Sequence, residues 1–291
     1  MAISAICLII TALCILLAVG YFTLLERKVL AYIQRRRGPD KVGIIAIPQP
    51  LADAVKLFAK EFVNIICSNK NFFNYRPLIA IIIIFTLWSL YNSTWRYPQK
   101  WGVLFFITIS SLNVYAIIIA GWSRNSKYAL LGSVRAVAQT ISYEISIGII
   151  LVSICIALLS MNLQRIIFSP IILIIVPMWL SICLAETNRA PFDLAEGESE
   201  LVSGFNIEYG RALFAFLFIA EYGNILFMRM ITCQIFFATI TIISPLLLTI
   251  SLACTFLWVR GTFPRIRYDQ LIALTWKRFL PLSLAYILTI F

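Results

Sequence analysis

The chain has 291 residues, of which 61% are hydrophobic and 13% charged, carries a formal net charge of +11, and contains no histidine. Soluble globular domains carry roughly 25% charged residues, so this composition belongs in a lipid bilayer. The missing histidine removes the usual haem axial ligand, the usual zinc or copper ligand and the commonest general base near neutral pH. No metal site is expected. The seven cysteines (Cys7, Cys14, Cys67, Cys155, Cys183, Cys233 and Cys254) are dispersed without a C-x-x-C spacing and read as packing residues. No glycine-rich nucleotide fingerprint or Walker loop occurs, so the chain has no evident means of binding a dinucleotide and no redox centre of its own. Without a polar linker or a fixed-period repeat, residues 1–291 read as a single membrane domain.

A bilayer core of about 30 Å takes roughly 20 apolar residues per helix. Uncharged or nearly uncharged runs meet this at about 1–25, 77–95, 101–123, 136–160, 166–185, 212–228 and 230–259. The first run continues into Glu26-Arg27-Lys28 without a small-residue cleavage site and reads as a retained helix, with no transit peptide ahead of it. A last run, 279–291, would rise only about 20 Å as a helix and is expected to span incompletely. The fold class predicted is an all-α polytopic membrane protein of about eight transmembrane helices plus one amphipathic interfacial helix.

Alternating the loops places 20 Lys and Arg residues in segments 26–76, 122–135, 186–211 and 260–278, against four (Arg96, Lys100, Arg165, Arg229) on the other face. The positive-inside rule puts the charged segments on the cytoplasmic or matrix side. It also explains the net charge by membrane flanks and lipid headgroups, and no nucleic-acid partner is expected.

In the first inner segment, Leu51, Ala54, Val55, Phe58 and Phe62 recur at helical spacing while Asp53, Lys56 and Lys60 occupy other faces, which predicts an amphipathic helix at the membrane surface. A generic interfacial anchor would share that pattern. The second inner segment crowds Asp193, Glu196, Glu198 and Glu200 into eight residues, an arrangement that raises some carboxyl pKa values and lets protons be shared. A solvated acidic loop is the plainer alternative, although this one is rich in Phe, Leu and Ala. The third, from Arg260 to Arg278, alternates bases and aromatics, as an anchor to headgroups or to a docked partner would.

Within the spans, Glu144 lies in the fourth run and Glu221 in the sixth, with Glu208 at the start of the latter. A carboxylate at membrane depth is costly unless protonated, paired or hydrated, so a functional role is the default. Arg135, Gln139 and Glu144 share the inner end of the fourth run, where hydrogen bonding between helices is the structural alternative. Glutamates on several helices are what a proton relay needs.

The stretches LLERKVLAYIQRRRGP, QPLADAVKLFAKE, GWSRNSKYALLGSVRAVAQTISYE, LAETNRAPFDLAEGESELVSGFNIEY, AEYGNILFM and LWVRGTFPRIRYDQLIALTWKRFLPL resemble, in order and across most of the chain, the core subunit 1 family of respiratory complex I, the proton-pumping NADH:ubiquinone oxidoreductase. The resemblance implies ubiquinone as substrate, with FMN and iron–sulfur clusters carried by partner subunits. It implies as partners the hydrophilic subunits of the quinone site and the antiporter-like membrane subunits. The family's quinone tunnel maps onto Arg27, Arg36, Asp53, Ala54, Lys56, Phe58, Phe218, Arg265 and Arg267. Its carboxylate path maps onto Glu144, Glu186, Asp193, Glu196, Glu198, Glu200, Glu208 and Glu221, with Arg135 and Arg189 in support. Against the family, the outer loops near 161–169 and 229–235 read as abbreviated, and Gly210-Arg211-Ala212-Leu213 adds a base.

A membrane subunit of an energy-converting hydrogenase would share the ancestry without quinone, a stand-alone ion carrier would transport unaided, and a scaffold would use the carboxylates only for packing. The expected location is the mitochondrial inner membrane, with a bacterial plasma membrane as the alternative.

Overall fold

A computed structural model describes residues 2–61, 68–90, 100–158, 160–162, 174–193, 209–237 and 243–290, and among these it contains helices and no strand. Helix α1 (Ala2–Ile33) runs two turns past the expected boundary, carrying Glu26, Arg27 and Lys28 within it. Helix α2 (Gln49–Ala59) begins with Pro50 in its first turn, where a missing N–H costs nothing. It is the predicted amphipathic helix: none of its residues is fully buried, and Leu51, Val55 and Phe58 face outward.

Helices α3 (Lys70–Trp88), α4 (Gly102–Ser123) and α5 (Lys127–Leu158) follow. α3 starts seven residues ahead of the run that began at Pro77, and α5 starts nine ahead of 136. In both cases polar residues occupy the first turns without ending the helix. Arg76 is buried against the ring of Tyr209, and Gly132 and Ser133 are buried on α5. Helix α6 (Val176–Glu186) is the described part of the fifth run.

Helix α7 (Arg211–Phe236) corrects the expectation of two spans parted by a loop at Arg229. Apolar residues flank Arg229 on both sides and no turn residue interrupts them, so the helix continues through it. Consequently Arg229 is not an outer-loop base, and 229–235 is not a loop; the next helix, α8, is Ile243–Thr262.

The last element also differs from expectation. Helix α9 (Tyr268–Leu274), a π turn (Thr275–Phe279) and helix α10 (Leu280–Ile290) form one continuous apolar stretch of 23 residues, long enough to cross a membrane. Lys277 and Arg278 stay exposed on the π turn, so their charges do not end the helix. Six described helices are long and apolar enough to span, and Val176–Glu186 and Leu247–Thr262 are shorter apolar ones. The multi-span expectation is met by these eight.

The main core gathers α3 to α7 around Tyr143, Ile150, Trp179, Ile182 and Phe227. The Trp179 indole N–H donates to Thr232 Oγ1 at 2.9 Å, giving that large side chain its one required partner. A second core of Ile15, Val19, Phe22, Tyr222, Ile225, Ala253 and Leu257 joins α1, α7 and α8. The candidate site lies between these two cores.

Candidate functional site

The site is organised by the turn that ends α6. Asn188 adopts φ 48°, in the left-handed region that asparagine tolerates better than most residues. The Asn188 N–H donates to Ala185 O and the Arg189 N–H to Leu184 O, the paired bonds that close a helix C-terminus. Ala190–Pro191 is cis, and the Phe192 N–H donates to Arg189 O at 2.8 Å. From α5, the fully buried Gln139 amide donates to Ala185 O at 2.8 Å and Phe192 O at 2.9 Å, tying both ends of the turn to one side chain. The Ile266 N–H donates to Pro191 O, which anchors the segment after α8 to the same turn.

Three groups of side chains surround this turn. The first centres on Glu26, a buried carboxylate of α1. Arg260 of α8 and Arg189 both pair with its Oε1, Arg189 at 3.4 Å. Arg189 lies over the Tyr222 ring at 4.4 Å, and the buried Arg229 is held between Phe22 at 4.2 Å and Phe256 at 4.9 Å. Such stacking is favourable for a planar guanidinium that has left water. Arg265 pairs with Asp193 at 3.5 Å, so an expected tunnel residue and an expected coupling carboxylate meet.

The second group lines a cavity of about 80 Å³ between α3, α4, α5, α6 and α7. Its lining residues include Glu186, Glu221, Arg76, Arg189, Asn113 and Asn224. Glu144 of α5 lies near enough to Glu186 for their charges to act on one another. A cavity of this size, lined by apolar side chains with these polar residues among them, has room for several waters. Beside it, the Tyr209 hydroxyl donates to Phe73 O at 3.3 Å and its ring stacks on Phe73 at 4.1 Å. The Arg76 and Arg124 guanidiniums lie 5.2 and 4.8 Å from the centre of that ring. Burial pushes the Tyr209 phenol pKa up, and the two guanidiniums oppose that shift.

The third group lies where α1, α2 and α7 pack. The Arg27 guanidinium donates to Asp53 Oδ2 at 2.7 Å, and Gln49 donates to Asp53 Oδ1 at 2.9 Å. Phe58 contacts Phe216 edge-on, while Phe214, Phe218 and Tyr222 form an aromatic row along α7 that ends against Phe22. Ala54 is half-buried beside Asp53 on the same helix. Arg36 and Lys56 are exposed, and Arg267 pairs with Asp269 at 3.3 Å on an exposed surface, so these three are not drawn into the group. Glu196, Glu198, Glu200 and Glu208 lie outside the described residues. Arg135 is half-buried on α5, one turn before Gln139.

Sequence reasoning passed over four participants. Glu26 shares a helical face with Phe22, four residues earlier, which was a legible signal; Arg229 had its unbroken apolar flanks. Arg76 and Tyr209 gave no signal, since their pairing joins residues 133 apart in sequence.

The NADH dehydrogenase family profile matches residues 6–291, and the chain belongs to that family. It is similar to the NADH-ubiquinone oxidoreductase chain 1 of Aedes aegypti, with 48% identity over 289 residues covering 96% of this chain and 92% of that one. The chain 1 of Heterololigo bleekeri is 47% identical, covering 96% and 94%, and that of Cyprinus carpio 49% identical, covering 94% and 90%. With animal relatives of this kind and its apolar helices, the chain is a multi-pass protein of the mitochondrial inner membrane.

Proposed function

We propose that the chain is the subunit of NADH:ubiquinone oxidoreductase that walls the quinone tunnel and begins the carboxylate path coupling quinone reduction to proton translocation. The observation that carries this reading is that Glu186 and Glu221 line one cavity, with Arg189 joining that cavity to the Glu26 pair on α1. A change of charge at the α1 side therefore has a short electrostatic route to the carboxylates.

On this reading the aromatic row of Phe218 and Tyr222, with Phe58 and Phe22, supplies the apolar surface an isoprenoid tail requires, and the Arg27–Asp53 pair marks its polar rim. FMN and iron–sulfur clusters belong to hydrophilic partner subunits, which deliver electrons to the quinone head. The antiporter-like membrane subunits receive the coupling. The cavity carboxylates act as groups whose charge state each changes that of the next, because low polarity strengthens their interaction. The names of the relatives favour ubiquinone over a hydrogenase partner.

The test is Glu221→Gln in the intact complex, comparing inhibitor-sensitive NADH:quinone turnover with turnover to an artificial acceptor upstream of quinone. Loss of the quinone-dependent rate alone, with assembly intact, supports the reading. Equal rates in variant and wild type contradict it, and loss of assembly with unchanged turnover per complex favours a packing role.

A further inference from the structure

The segment from Arg260 to Arg278 alternates bases with aromatics, and its last two bases lie within the final membrane-crossing stretch, Tyr268–Ile290. We propose that Lys277 and Arg278 form a binding site for an anionic phospholipid of the inner-facing leaflet, holding its headgroup phosphate while its acyl chains run along the exposed side of α10.

The π turn Thr275–Phe279 builds the charged end of this site. One side of it is fixed to α5. Thr275 and Leu271 are buried, the Tyr143 hydroxyl donates to Leu271 O at 3.5 Å, and the Trp276 indole N–H donates to Ser142 Oγ at 3.4 Å. With those contacts made, Trp276, Lys277 and Arg278 stand exposed in succession. A π turn winds more residues into each turn than an α-helix does, so two consecutive cations share one exposed side; single π turns of this kind recur at functional sites.

Neither charge is matched among the described residues. Lys277 and Arg278 form no ion pair or hydrogen bond there, Asp269 pairs with Arg267 at 3.3 Å, and Glu144, two residues past Ser142 on α5, acts on Glu186. A cation at membrane depth without a counter-charge is costly, and long basic side chains lower that cost by reaching the headgroup layer. Lys277 lies about 14 Å along the helix axis from Tyr268. Helical side chains lean towards the N-terminus, which the positive-inside rule places here at the inner face. Both charges are therefore returned towards the phosphates of that leaflet.

The surface beyond the two cations selects a lipid. At helical spacing from Lys277 come Pro281, Leu284 and Leu288, with Leu282 and Ala285 beside them, all exposed, and no charged residue follows Arg278. A carboxylate of a neighbouring protein or a free phosphate would engage the cations alone. An amphiphile of the inner leaflet matches both parts, with phosphate at the basic end and acyl chains on the apolar strip that continues towards the bilayer centre. Basic sites between membrane helices on the matrix side hold lipid headgroups in this way.

The test is photolabelling of the intact complex in phosphatidylcholine vesicles that carry a trace of phosphatidylglycerol or of phosphatidylcholine with a photoreactive acyl chain, the adducts being mapped by mass spectrometry on the peptide that covers α10. The wild-type complex should label with the phosphatidylglycerol probe in excess over the phosphatidylcholine probe. Lys277→Gln combined with Arg278→Gln should abolish that excess, a loss of about thirtyfold at about fivefold for each base, and Lys277→Arg should keep it. Equal labelling of wild type by the two probes overturns the proposal, as does an excess that survives the double variant. Should the double variant fail to assemble, an excess unchanged in Lys277→Gln alone is sufficient to overturn it. A carbodiimide cross-link from Lys277 to another subunit, with no lipid adduct on α10, assigns the cations to a protein carboxylate and also overturns it.

Discussion

The Gln139 carboxamide reaches the carbonyl oxygen of Phe192 at 2.9 Å, across 53 residues of sequence, while its other N–H holds Ala185 O at 2.8 Å. One side chain therefore sets the frame in which Glu186 and Arg189 are presented. Gln139→Leu keeps the volume and removes both donors, taking from the Phe192 carbonyl its Gln139 bond at about 1–3 kcal/mol while Ala185 O keeps the Asn188 N–H. The expected outcome is a lower thermal midpoint of the complex and faster trypsin cleavage within 186–208. An unchanged cleavage rate would show that the turn keeps its frame without Gln139.

Helix α4 meets α5 through Gly121, where an added methyl group would collide with Ser133. Gly121→Ala should reduce the amount of assembled complex, because two rigid helices would have to separate along their contact. Gly121→Ala combined with Ser133→Gly should recover a substantial part of it. Native gel quantification of both variants checks the relation, and equal losses in the single and double variants would contradict it.

These two contacts show which features the sequence disclosed and which it withheld. The run of apolar segments announced the helices, and the spacing of Leu51, Ala54, Val55 and Phe58 announced α2, because both depend on local periodicity. The carboxylates Glu144 and Glu221 were legible because charge inside an apolar run is anomalous wherever it occurs, whereas Glu186, just past a run, entered through the family resemblance. Arg229 was misplaced for the same reason: a single base in an apolar stretch reads as a loop unless its aromatic partners Phe22 and Phe256 are known. Lys277 and Arg278 truncated the expected last helix, although the π turn holds both at the surface. The Gln139 clamp and the Arg189 pair with Glu26 depend on contacts between distant segments, which periodicity does not encode.

Asp53 and Arg27 form a pair that is partly exposed on both sides, at 35% and 51% of their side-chain surface. Such pairs contribute roughly 0–1 kcal/mol to stability. Asp53→Asn should therefore leave the thermal midpoint nearly unchanged. If the pair marks the rim of the tunnel, the variant should raise the apparent KM for quinone, and a fall in the thermal midpoint with KM unaltered would assign the pair to structure.

Phe218 is 37% exposed on the aromatic row of α7. Phe218→Ala removes apolar surface worth about 1 kcal/mol to a bound tail, or roughly fivefold in affinity. The KM for long-tailed quinones should rise by that factor while that for tail-less analogues stays level. Equal changes for both would place the ring outside the tail's path.

The most direct measurement of the account is the rate of NADH:quinone turnover in the intact complex carrying Glu186→Gln, set against the rate to an artificial acceptor upstream of quinone. Glutamine preserves the shape of the side chain and removes its charge. The account predicts a quinone-dependent rate lower by about tenfold, equivalent to about 1.4 kcal/mol on the barrier, with the artificial-acceptor rate and the assembled complex unchanged. Wild-type quinone turnover in that variant would contradict the assignment of the Glu186 cavity to coupling.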